Sequence, residues 1–132
     1  MIVRYLKHVD AIRTTELALP MAGADRLGTE LATIDGLTYV HIPAGAKLPP
    51  QAADIAPEPV ELTPELARAI KTASPHVRLI HARVVAKIRE RYSVDDEFQM
   101  LRLPDTPEAQ AYRAYTEACV AWGKQEKARL GL

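Results

Sequence analysis

The sequence predicts an α+β protein: a small N-terminal antiparallel sheet with a hairpin, a proline-rich connector and a C-terminal cluster of about four helices. Three observations carry this. Thr63-Pro64, Ser74-Pro75 and Thr106-Pro107 each set a hydroxyl just before a proline. That is the chemistry of a helix start, where the hydroxyl accepts from orphan backbone N–H groups and proline gives up a donor that has no helical partner anyway. Asp35-Gly36 sits between two β-prone runs. Between these two regions fall Pro43, Pro49, Pro50, Pro57 and Pro59. The expected division is a β-rich part over 1–45, a connector over 46–62 and a helical part over 63–132.

Taken in order, Ile2-Val3-Arg4-Tyr5-Leu6 is rich in strand formers, and Ala11 to Leu17 extends that β-leaning stretch. Pro20 to Asp25 reads as a loop. Thr29 to Ile34 and Leu37 to Ile42 then form a hairpin around Asp35-Gly36, because a two-residue turn needs φ > 0 at both central positions. A lone hairpin is marginal in water, so it must pair with the N-terminal strand, pack on the helices or join a partner's sheet. The prolines over 43–60 remove backbone donors and favour extended polyproline geometry, as in a strap or linker.

Four helices follow. The first spans about 64–73 and the second about 75–92, with Val77, Ile80, His81, Val84, Ile88 and Tyr92 on one face. Ser93 caps a third helix, with Asp96 three residues on in the manner of a capping box, ending near Leu103-Pro104. Thr106-Pro107 opens a fourth that runs to about Arg129, with an apolar stripe of Ala111, Tyr112, Tyr115, Ala118, Cys119 and Trp122.

The composition is that of an ordinary water-soluble domain. The 132 residues are 48% hydrophobic and 26% charged, and 17 Lys+Arg balance 17 Asp+Glu. Zero net charge gives no global field to draw nucleic acid or anionic membrane, and little protection against self-association. The charged start is not that of a signal peptide, and no apolar run is long enough to span a bilayer. One cysteine, Cys119, excludes an intrachain disulfide and a cysteine-rich zinc site.

Each cluster of reactive side chains has a structural explanation. His8, His41, His76 and His81 are scattered, with none of the spacings of a metal site, and His41 alternates with Val40 and Ile42 as a solvent-side residue would. Cys119 lies among Tyr115, Ala118 and Trp122 like a packed core residue. Asp95-Asp96-Glu97 lacks the alternating oxygens and glycine of a calcium loop and suits a helix first turn. Arg78, Arg83, Lys87, Arg89 and Arg91 form a basic side that could meet phosphates, but a recognition helix beginning Val94-Asp95-Asp96-Glu97 would turn carboxylates to the polyanion. There is no phosphate-binding glycine loop and no hydrolase or metalloprotease motif. No catalytic, cofactor-binding or metal residue is therefore expected. Tyr and Trp dominate interface energetics, and three of the seven aromatics lie on the last helix. The residues expected to touch a protein partner are Tyr39 and His41 on the hairpin, Arg83 and Lys87 on the second helix, and Tyr115 and Trp122 on the last.

Three runs carry a resemblance: Leu37 to Pro49, Ile88-Arg89-Glu90-Arg91-Tyr92-Ser93-Val94-Asp95-Asp96-Glu97, and Tyr112 to Lys127 with its Trp122-Gly123-Lys124. Together they are similar to small tail proteins of tailed bacteriophages and prophages, found near the baseplate and fibres. The resemblance brings no functional residues across. It implies a non-enzymatic structural or adaptor protein of the virion tail, present in the host cytoplasm during assembly, whose partners are other phage tail proteins or itself. Nucleic acid, membrane and small-molecule substrate are not expected as partners. The alternatives are a tail-fibre assembly chaperone and, from another class, a small DNA-binding regulator using the second helix.

Overall fold

Six strands and four helices form in chain order in the computed structural model, which describes Met1–Leu132. They are β1 (Ile2–Leu6), β2 (Met21–Ala22), β3 (Asp25–Arg26), β4 (Thr29–Ile34), β5 (Leu37–His41), β6 (Glu58–Val60), α1 (Pro64–Ala73), α2 (Pro75–Arg91), α3 (Val94–Arg102) and α4 (Pro107–Arg129). The fold is α+β, with an antiparallel sheet in the order β4-β5-β1-β6 and a separate β2-β3 ribbon. Two compact units result, one of residues 1–76 with 130–132 and one of residues 77–129.

In the first unit the Asp35-Gly36 turn takes φ 51° and 80°, the geometry that joins β4 to β5 with Ile34 facing Leu37. A bulge between Glu30 and Ala32 lets Leu31 and Ala32 both turn inward, at 0% and 5% exposure. The sheet is covered on both faces. One face packs Ile2, Leu31, Ala32 and Tyr39 on Ile70 of α1, with Leu130 and Leu132 alongside. The other packs Val3, Tyr5, Val40 and Ile42 under Leu17 and under Leu48 and Ile55 of the proline-rich strap. Complete burial of a residue such as Leu31, Ile42 or Ile70 contributes about 1.5–3 kcal/mol.

Three details of this unit depart from the sequence-based expectation. Ala11 to Leu17 is not a strand, apart from an isolated His8–Thr14 bridge. The Asp10 carboxylate accepts from the N–H groups of Ile12 and Arg13, both at 2.9 Å, and such a local turn competes with a strand ladder. The expected loop at Pro20 to Asp25 is instead the β2-β3 ribbon, turned by Gly23 at φ 64°. The strap ends in β6, an edge strand in which Pro59 faces Val3; an edge tolerates a residue with no N–H.

The helices begin where the hydroxyl–proline pairs place them. Thr63 Oγ1 accepts from Leu66 N at 3.2 Å and Thr106 Oγ1 from Ala109 N at 3.2 Å. Ser93 and Asp96 form a reciprocal box, Asp96 N donating to Ser93 Oγ at 3.0 Å and Ser93 N to the Asp96 carboxylate at 2.9 Å. The Ser93 backbone N–H, and secondly the Ser93 hydroxyl, hold the Asp96 carboxyl below its usual range. No helix is long and apolar enough to cross a membrane.

Candidate protein-interaction surfaces

The helical unit is held together by half-buried aromatics and polar pairs. Tyr92 meets Tyr112 edge-on at 5.0 Å between ring centroids, and Tyr115 at 5.9 Å. Tyr112 Oη donates to Glu97 at 2.7 Å, and Arg89 pairs with the same carboxylate at 2.9 Å. Glu97 is accordingly held below the usual carboxylate range, first by the Tyr112 hydrogen bond and then by Arg89. Burial, with the Glu97 charge added, pushes the Tyr112 phenol up. Tyr115 Oη donates to the Lys87 carbonyl at 2.8 Å, while the Lys87 ammonium lies 4.4 Å from the Trp122 ring centre and the Arg91 guanidinium 4.6 Å from that of Tyr115.

Among the residues expected to contact a partner, Lys87, Tyr115 and Trp122 are therefore neighbours, joined across α2 and α4. Arg83 is exposed on α2. Tyr39 is only 7% exposed and belongs to the sheet core, so its ring is not available to a partner. The hairpin does have alternating faces, but the face that carries Tyr39 is the one covered by α1. His41 shares that face and is half-buried rather than solvent-side. Gly131, at φ 76°, lies so close that a Cβ there would stand 2.6 Å from the imidazole. Burial, and secondly the Met1 ammonium, push the His41 pKa below its ordinary value.

The stripes on the two long helices also shift. His81, Ala111 and Ala118 are exposed, whereas Ala109, Cys119 and Gly123 are the buried positions of α4. Gly123 is what sequence reasoning missed. A Cβ there would lie 2.8 Å from Val84 Cγ2, so the missing side chain is what lets α2 and α4 approach. Beside this crossing runs a groove of about 250 Å³. It is lined by the apolar residues Val84, Val85, Val120 and Gly123 and by His81, Lys124 and Lys127.

A second apolar surface lies on α3, which buries no residue completely. Val94, Phe98 and Leu101 are 50%, 61% and 70% exposed at helical spacing on its outer side. Their i, i+4, i+7 pattern was readable in the sequence, but the same pattern describes a core stripe. The first unit has a polar concavity of about 320 Å³ lined by Tyr5, Glu16, Arg26 and Glu30 among others. Its charged groups are already engaged, Arg26 with Glu16 at 3.0 Å and Glu30 with Lys7 at 2.8 Å. No family model matches the chain, and no curated protein or solved structure matches it.

Proposed function

We propose that the chain is a non-enzymatic adaptor that joins larger proteins through protein–protein contacts, working in a phage tail near the baseplate or fibres. The α2–α4 groove supports the adaptor part of this reading. Its valines take an apolar side chain, and the Lys124 and Lys127 ammoniums that line it take carboxylates. The partner segment thus presents an apolar residue flanked by Asp or Glu. The tail setting is supported by the resemblance carried by Leu37 to Pro49, Ile88 to Glu97 and Tyr112 to Lys127.

The test combines mass spectrometry of purified virions with capture of named tail proteins on the tagged chain. The expected result is presence in the particle and binding to a baseplate or fibre protein that Val120→Asp and Lys124→Glu each weaken. Binding to a fibre protein with absence from finished particles would instead make the chain an assembly chaperone. Binding to DNA that falls steeply with salt would favour a regulator acting through α2. Arg89 and Arg91 are already occupied on that helix, by Glu97 and Tyr115.

A further inference from the structure

We infer that the chain pairs with a second copy of itself through the outer face of α3, antiparallel and across a two-fold axis. This does not rest on the adaptor reading, because a chain that pairs with itself need bind nothing else, and it uses a different face.

The polar groups of α3 divide sharply between its two sides. On the inner side every carboxylate is engaged: Asp96 with the Ser93 backbone, and Glu97 with Tyr112 and Arg89. On the outer side Asp95 and Arg102 are exposed, and neither joins any of the ion pairs in the chain. Between them sit Phe98 and Gln99, with Val94 and Leu101 flanking, and the apolar members are half or more exposed. The stripe therefore has an apolar middle, a negative group in its first turn and a positive group in its last.

Such a stripe is complementary to its own reverse. Asp95 and Arg102 are seven residues apart, which is two turns and about 10.5 Å along the axis, on nearly the same side of the helix. Turned end for end about a point between Phe98 and Gln99, a second α3 sets its Arg102 against Asp95 and its Asp95 against Arg102. The two Phe98 rings then cover one another's apolar surface. The helix dipoles also oppose favourably in this arrangement. A parallel arrangement would instead set like charges together. An isologous two-fold pair is the commonest form of self-association, and zero net charge does not oppose it.

The test is sedimentation equilibrium of the full chain with three variants, each checked for unchanged helicity. The wild type is expected to show a monomer–dimer equilibrium. Phe98→Asp should weaken it at least about 30-fold, as loss of a central apolar anchor does. Asp95→Arg should weaken it about tenfold by setting two arginine pairs face to face. Asp95→Arg combined with Arg102→Asp should restore it, because the reversed pattern is again self-complementary. A wild type that stays monomeric at millimolar concentration would overturn the proposal. So would a double variant no tighter than Asp95→Arg alone. That second outcome would mean that α3 meets some other surface, such as Glu117 to Lys124 of α4, which spaces its charges in the same way.

Discussion

The two units solve the problem of burial in different ways. In the sheet unit, β5 is buried on both faces: Thr38, Tyr39 and Val40 are 0%, 7% and 1% exposed, with α1 on one side and the proline strap on the other. In the helical unit, α3 has no fully buried residue, while Tyr92, Tyr112, Tyr115 and Trp122 are half-buried and tied by hydrogen bonds and cation–ring contacts. Apolar surface is correspondingly left over on Val85, Val94, Phe98, Leu101 and Val120. The difference teaches that a sheet covered on both faces buries its central strand completely, even though Leu6, Val9, Ile12 and Met21 of that unit stay exposed, whereas helices packed on one side leave apolar residues open on the other.

The sharpest way to break that contrast is to truncate one large side chain in each unit. Ile70→Ala or Leu31→Ala should cost about 2–5 kcal/mol in urea unfolding, because each leaves a cavity in a fully covered core. Phe98→Ala should change monomer stability by less than about 0.5 kcal/mol, since its ring is 61% exposed. Equal costs would abolish the distinction between the units.

The next effect lies at the helix crossing. Gly123→Val should cost about 1–3 kcal/mol through overpacking against Val84. Adding Val84→Ala should recover part of that loss, and a second variant that recovers nothing would show that the close approach is not what glycine provides there.

A smaller change, about 1 kcal/mol, is expected from Tyr112→Phe, which deletes the hydrogen bond to Glu97. Its sign in pH follows from the depressed Glu97 pKa. The folded carboxylate is favoured relative to the unfolded value of 4.5, so its stabilisation is present above that pH and is lost as pH falls through the folded value. Tyr112→Phe should therefore flatten the acid limb of a stability–pH curve, and an unchanged limb would remove Glu97 as its source.

The smallest effect belongs to His41. Its folded pKa lies below the unfolded 6.5, because burial and the Met1 ammonium disfavour the imidazolium. The unfolded chain then binds the extra proton, so stability is full above pH 6.5 and declines as pH falls from there toward the folded value. His41→Gln should remove this slope from thermal melts taken across that window.

Local chemistry made the helix starts readable. Thr63, Ser93 and Thr106 each act on a backbone N–H three residues away, so nothing distant is needed to predict them. Asp35-Gly36 was legible for the same reason. The β2-β3 ribbon and β6 were not, because two or three residues carry no periodicity and form only where a neighbouring strand or turn supplies the pairing. Of the candidate contact residues, Lys87, Tyr115 and Trp122 lie together across two helices, whereas Tyr39 is buried because both faces of its strand are covered, which alternation along a strand does not show.

The sequence by itself determined where each helix begins, where the hairpin turns and that the fold is α+β, since caps, turn dihedrals and periodicity are set by near neighbours in the chain. Tertiary structure alone decided that both faces of the sheet are covered, that Gly123 marks a helix crossing and that the α3 stripe is left open. Burial depends on which surfaces meet, and that is a property of residues far apart in sequence brought together by the whole chain.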